Sequence, residues 1–276
     1  MAALHPTIVI SGATGAIGSA TATALARRGA RVVLMARPSK RLDALVERLG
    51  GADNRITSVA VDLSSLPSVR AAAREVNRLG GRVDALLNVA AIFSPTYQKT
   101  KDGFELMLAT NHFGPFLLTN LLRDRLIGGG RVITAAAPST TRVEMERLMS
   151  KQDFHALHTF GATKAANLMI TFELARRAKR WDVRANAFHP GLVRSDLMRA
   201  APRAIRLASR LISRSPERAA QDLADLATSA AFAGTTGWLF KGTRRIDPPR
   251  ATQDLEAQST LWSRTAELVE LEVGGF

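Results

Sequence analysis

The sequence predicts an α/β protein: a single domain over residues 1–276, built on a doubly wound parallel seven-stranded sheet with helices on both faces. Three observations predict it. Short apolar, β-branched runs alternate with longer segments of helical period along most of the chain. The first run, Thr7–Ser11, is followed at once by Gly12, Gly15 and Gly18 and then by an Ala-rich helical segment to about Arg28. A length of 276 residues with 46% hydrophobic residues suits one such domain with a sizeable core.

Strand, glycine turn and helix start in that order make a Rossmann-type dinucleotide site. Glycines let the backbone approach a pyrophosphate, and the free N–H groups of the helix start bind its charge. The second strand covers residues 31–36 and ends at Arg37, with Lys40 and Arg41 just after it. An acidic residue there would bind the adenosine ribose hydroxyls, whereas Arg accommodates a 2′-phosphate. No Asp or Glu stands at that end, so Arg37 argues for NADP(H), against the plainer reading of a solvated helix-start cluster. Residues 56–61 form the third strand, followed by Asp62-Leu63 and a helix near 66–79. The fourth strand covers 84–91 and the fifth 130–139, and an irregular insert covers 140–157. The sixth strand and its exit cover 181–191, and a substrate-lid region covers about 192–215. A helix over 216–233 and a last strand over 236–240 complete the sheet. Two long helices, 102–126 and 160–179, flank the fifth strand.

Composition narrows the function. With no cysteine there is no disulfide, no thiolate metal site and no cysteine nucleophile, which fits a cytoplasmic protein. The first ten residues lack the basic and apolar regions of a signal peptide, and no apolar run approaches the ~20 residues that span a bilayer. A formal charge of +14 attracts anions, but the Arg residues are scattered among Asp and Glu, and aromatics are only 5%. That pattern reads as an Arg-rich solvated surface and speaks against nucleic-acid binding.

The stretch His158-Thr159-Phe160-Gly161-Ala162-Thr163-Lys164 resembles the Tyr-x-x-x-Lys active-site helix of the short-chain dehydrogenase/reductase family, with Phe160 at the tyrosine position and Lys164 in place. Residues 84–91 are similar to the family's Asp-x-Leu-x-Asn-Asn-Ala-Gly; Asn88 and Ala90 are kept, while Val89 and Ala91 replace the second Asn and the Gly. The run from Tyr97 to Glu105 and the run Asn111-His112-Phe113-Gly114 resemble the retinol-dehydrogenase-like and protochlorophyllide-reductase-like branch. In the family the fifth strand ends in two Ser, the second catalytic; aligned on Arg131-Val132 that position is Ala137. Ser139 lies two residues on, so it faces the same side but ~6–7 Å further along. In the glycine turn Ser11 replaces a Thr and Ala16 stands where a middle Gly would be, so Gly12, Gly15 and Gly18 look more like the family's extended members.

The resemblance implies roles. Gly12, Thr14, Gly15, Ile17 and Gly18 would hold the pyrophosphate, and Asp62 with Leu63 the adenine end. Asn88 and Ala90 would support the cofactor wall, and Pro190, Gly191, Val193 and Ser195 would lie about the nicotinamide. Lys164 would bind the nicotinamide ribose, and Asn111 would hold a water in a proton relay. The usual acid and the usual oxygen donor are missing, because Phe160 and Ala137 carry no hydroxyl. Loss of a general acid costs ~10²–10⁴ in rate and of an oxyanion donor ~10²–10³, and the two are not additive. Tyr97 is the only tyrosine and sits on a loop. His158 is the nearest acid–base candidate at the helix start, set against an ordinary surface or capping histidine.

Three readings follow. One is hydride transfer to an acceptor that needs no proton donor, such as an iminium, a quinone-like ring or an enone. Another is a non-redox cyclase, isomerase or lyase on the same scaffold. The third is a catalytically silent NADP(H)-binding protein or partner subunit. The substrate implied is a small, largely apolar biosynthetic metabolite, and the two long helices offer a homodimer face.

Overall fold

The computed structural model describes residues 5–50, 55–194, 214–271 and 275–276. The strands are β1 (Thr7–Ser11), β2 (Arg31–Ala36), β3 (Ile56–Ala60), β4 (Ala85–Asn88), β5 (Arg131–Ala135), β6 (Arg184–His189), β7 (Leu239–Lys241) and β8 (Arg244–Ile246). They lie in one sheet in the order β3-β2-β1-β4-β5-β6-β7-β8. The strand order reverses between β1 and β4, which is where such sheets open a crevice for a ligand.

The sheet has eight strands, not the predicted seven. The seven from β1 to β7 are parallel, and β8 returns antiparallel to β7, with Leu239 opposite Ile246. A short turn through Gly242, at φ +64, makes the hairpin. Three residues reading Arg-Arg-Ile at an exposed edge carry no apolar alternation, so the strand left no periodic mark.

Alternation along β1 divides the core. Ile8 and Ile10 face α1 (Ala16–Arg27), α2 (Lys40–Leu49) and α9 (Pro216–Thr228), where Leu25, Leu45 and Leu223 meet them. Val9 faces the other layer: α3 (Leu66–Arg78), α5 (Gly114–Leu121), α8 (Ala156–Arg177) and α10 (Leu255–Leu268). Ser39, Ser65, Ser215 and Asp254 cap α2, α3, α9 and α10 by accepting a first-turn N–H.

The helix predicted over 102–126 is broken into parts. A single turn α4 (Leu106–Leu108) runs into a π-helical segment, Ala109–Phe113, then α5, and after a break at Leu122 a short α6 (Arg123–Leu126). Its start is set by Glu105, whose carboxylate accepts from Leu108 N at 2.7 Å, so residues 102–104 belong to the turn before it. The helix predicted over 160–179 begins four residues earlier, at Ala156, and the insert before it contains a one-turn helix α7 (Met145–Met149). Strands four and five stop at Asn88 and Ala135, short of their predicted ends. The helix predicted over 216–233 ends at Thr228, where the Ser229 hydroxyl caps a separate 3-10 turn. The last strand begins at Leu239, because Thr236 turns back to bond the Ala185 backbone.

Helix α8 is buried almost all round, because α10 packs on its outer side as the sheet packs on its inner. Trp262 of α10 sits edge-on to Phe116, and Arg176 of α8 donates to the Gln258 side chain at 2.6 Å. The outer side of α8, where a homodimer was expected, is thus covered by the same chain. The expected lid lies mostly outside the described residues, as does Ser195. Its two described ends meet: Val193 bridges Arg214, and Arg214 N donates to Leu192 O at 2.7 Å.

Candidate active site

The glycine turn sits at the switch point between β1 and β4. Gly12 has φ +77, and a Cβ there would stand 2.6 Å from Ala90 Cα, so only glycine fits where the loop crosses the end of β4. A Cβ on Gly18 would run into the Gly12 carbonyl oxygen. Gly15 is exposed and meets that oxygen only at 3.3 Å. It is the N-cap of α1, which has no side-chain cap and no acidic residue in its first turn. The first N–H groups of α1, beside Thr14 and Ile17, are therefore left for an anion. This donor set fits a dinucleotide pyrophosphate.

Arg37 is exposed one residue beyond β2, with exposed Lys40 and Arg41 on the first turn of α2. Asp62 spends its carboxylate locally: Oδ1 accepts from Ser64 N at 2.9 Å and from the Ser64 hydroxyl at 2.7 Å. It is a turn acid, while Ser65 caps α3. Leu63 is buried under Gly114, whose missing side chain admits the Leu63 backbone. Asn88 is buried and turned into the interior, donating to the Thr119 hydroxyl at 2.9 Å and accepting from Ser11 at 3.3 Å. It ties the end of β4 to α5 and β1, and Ala90 is the residue that touches the glycine turn.

Asn111 lies inside the π-helical segment. Its Oδ1 accepts from Ile92 N at 2.8 Å and its Nδ2 donates to Ile92 O at 3.0 Å, a ladder of two bonds to the loop after β4. Nδ2 also reaches the Thr163 hydroxyl at 3.3 Å, and the Asn111 backbone carbonyl accepts from Asn167 Nδ2 at 2.9 Å. Asn111 is thus tied to the loop on one side and to α8 on the other. Asn167 in turn holds His112. Because Asn167 Nδ2 already donates, its Oδ1 accepts from His112 Nδ1 at 3.0 Å, and Nε2 accepts from the Thr265 hydroxyl at 3.1 Å. Burial lowers the His112 pKa to about 4, so the ring is neutral.

Lys164 and Phe160 share the inner side of α8 one turn apart. The Lys164 ammonium stands 5.2 Å from the centre of the Phe160 ring, and Phe93 packs edge-on to that ring at 5.8 Å. Lys164 is 6% exposed and makes no hydrogen bond or ion pair with a described residue. Burial lowers its pKa to about 8. The ring face favours the charged form by ~0.5–2 kcal/mol, which offsets only part of that.

Ala137 follows the end of β5, and its carbonyl accepts from Ser139 N at 2.7 Å. The Ser139 hydroxyl donates to Thr141 Oγ1 at 3.0 Å and accepts from Thr141 N at 3.3 Å. This pair lies on Gly161, where a Cβ would stand 2.6 Å from Thr141 Oγ1. Ser139 thus reaches the start of α8 beside Phe160. Thr141, Gly161 and Phe93 complete this corner; sequence reading passed over them, and only the glycine directly after Phe160 hinted at a close approach. Tyr97 is not in the site's donor set: its hydroxyl donates to Met149 O at 3.0 Å and its ring packs on Phe154, pinning the insert. His158 is exposed on the first turn of α8. Pro190 and Gly191, the latter at φ +76, carry the chain from β6 to Val193 at the described edge of the lid. Burial lowers the pKa of His189 just before them, partly offset by the Ala136 backbone.

A glycine cradle at the strand-order reversal of a doubly wound parallel sheet is the arrangement of a nucleotide-binding α/β domain. The family model for short chain dehydrogenases matches residues 6–205, and the chain belongs to that family. It falls in the retinol-dehydrogenase-like branch: it is 32% identical to human retinol dehydrogenase 13 over 281 residues, covering 96% of this chain and 85% of that one. Among solved structures, an uncharacterized protein from Mycobacterium paratuberculosis superposes with a TM-score of 0.78 at 28% identity, over 97% of this chain and 94% of that one. A short chain dehydrogenase from Burkholderia cenocepacia in complex with NADP shares the fold at a TM-score of 0.70 and 24% identity, over 86% and 96%.

Proposed function

We propose that this dehydrogenase-family protein is an NADP(H)-dependent oxidoreductase of altered chemistry, delivering hydride to a small activated acceptor (an iminium, a quinone-like ring or an enone) without a tyrosine proton donor. The observation that carries the reading is the Phe160–Lys164 pair: the lysine is kept and buried, while the side chain above it is a phenyl ring in van der Waals company with Phe93. NADP(H) supplies the hydride. Gly12, Gly15 and Gly18 would admit the pyrophosphate, Arg37 would meet the 2′-phosphate, and Lys164 would bind the nicotinamide ribose. Phe93 and Phe160 exclude water and present apolar surface to a flat acceptor. An acceptor that delocalises the incoming charge needs no proton at the moment of transfer, so the absence of a phenol costs it little.

Transfer of label from NADPH deuterated at the transferring position tests this, with menadione, 2-cyclohexenone and a cyclic imine as acceptors. Label in the product is the expected result. Turnover without label moves the protein to non-redox isomerase or lyase chemistry. Tight NADPH binding with every acceptor inert makes it a silent cofactor-binding protein or partner subunit. Arg37→Asp should lower the preference for NADPH over NADH, read by fluorescence titration.

A further inference from the structure

Of seven lysines in the chain, six are exposed and Lys164 alone is buried. Its amine has no carboxylate, carbonyl or hydroxyl partner among the described residues, and it stands 5.2 Å from the centre of the Phe160 ring. It is nevertheless not sealed in, because the residue keeps 6% of its surface exposed. A phenol at position 160 could hydrogen-bond the amine and, once ionised, hold its proton. A phenyl ring does neither. A buried amine beside a phenyl ring, with no counter-charge among the described residues and a little exposed surface, meets the conditions under which lysines become nucleophiles. About a tenth of it is unprotonated at pH 7, given a pKa lowered to about 8.

We infer that Lys164 is a nucleophilic amine, and that this site condenses it with aldehydes, ketones and 1,3-diketones when no cofactor ribose lies over it. The Nζ lone pair attacks the carbonyl carbon and a C–N bond forms. Both amine hydrogens leave with the carbonyl oxygen as water, and a C=N bond remains. No electrons are gained or lost overall, so the step needs no oxidant or reductant. Phe93 and Phe160 select carbonyl compounds with apolar flanks. The inference goes beyond the hydride-transfer reading and does not depend on it, since the two would compete for the same amine.

Acetylacetone tests it on the intact protein, because its adduct with an unprotonated lysine is a stable enaminone with its own near-ultraviolet band. The full chain is incubated with the diketone at pH 7, and peptide mass spectrometry locates the adduct. The expected result is one adduct, on Lys164, formed about 100-fold faster than on the exposed lysines, in proportion to the unprotonated fraction. Phe160→Tyr should slow it about tenfold, as the new phenol holds the proton. Mapping on the unmodified chain needs no variant, so a misfolded Lys164→Met control would not blunt the test. Label spread evenly over the exposed lysines, or absent from Lys164, overturns the inference. A Phe160→Tyr protein that reacts as fast as the parent also overturns it, by removing the part assigned to the phenyl ring. If the adduct forms and NADPH does not protect against it, the cofactor reading fails while the inference stands.

Discussion

In the proposed reading Phe160 stands where the family carries tyrosine, which removes one oxygen and keeps nearly the same volume, with the ring edge-on to Phe93. The change is chemical more than structural, and it can be reversed. Phe160→Tyr should raise NADPH-dependent reduction of simple ketones by ~10²-fold or more, the scale of a positioned general acid. Steady-state turnover on a ketone panel measures it; an inert but folded variant would mean that a hydroxyl at position 160 does not reach a bound carbonyl. At this scale the sequence was partly legible. Phe160 and Lys164 were placed on one helix because their neighbours in sequence resemble a known pattern, and α8 carries both. The bond from Tyr97 to Met149, 52 residues apart, and the contact of Thr141 with Gly161 could not, since nothing local encodes which distant backbone a hydroxyl meets.

Among elements, the glycine turn and α1 form the most constrained unit. Gly18→Ala would drive a methyl into the Gly12 carbonyl and displace the loop from Ala90. An overpacking cost of ~1–3 kcal/mol should appear as NADPH affinity lower by about 10- to 100-fold. Gly15→Ala, whose methyl meets the same oxygen at 3.3 Å, is the milder comparison. Titration of NADPH fluorescence reads both, with thermal melts to separate loop damage from unfolding. Element types were legible because β1 is a short β-branched apolar run and α1 an Ala-rich segment straight after the glycine turn; element ends were less so. The π-helical segment at Ala109–Phe113 left no sequence signal, yet it is what turns Asn111 toward Ile92 and Thr163. Helix α8 extends one turn earlier than read, because its N-cap, His155, makes no side-chain cap bond and so resembles no start signal.

For the whole molecule, the two-layer packing makes stability depend on acid. His112 joins the π-helical segment, α8 and α10 through Asn167 and Thr265. Its pKa is about 4 in the fold and about 6.5 in an unfolded chain, so as pH falls the unfolded chain takes the proton first. The stability it confers is present above pH ~6.5 and is lost as pH falls toward ~4, up to ~3 kcal/mol. Buried Glu105, whose carboxyl is pushed up by burial, works the other way, so the clean measurement is urea unfolding at pH 7 and pH 5 for the parent and His112→Asn. The parent should lose stability across that interval and the variant should lose less. The doubly wound sheet was legible at this scale, and β8 was not, since only Ile246 of its three residues is even partly buried. Covering α8 with α10 also distributes the chain's optical properties. Of three tryptophans, Trp262 is 4% exposed against Phe116 and Trp238 is 40% exposed at the sheet edge. Trp262 should emit to the blue of Trp238, and detachment of α10 alone should shift the blue component toward red. The protein thus carries a native dye that reports the docking of one helix, with no label attached.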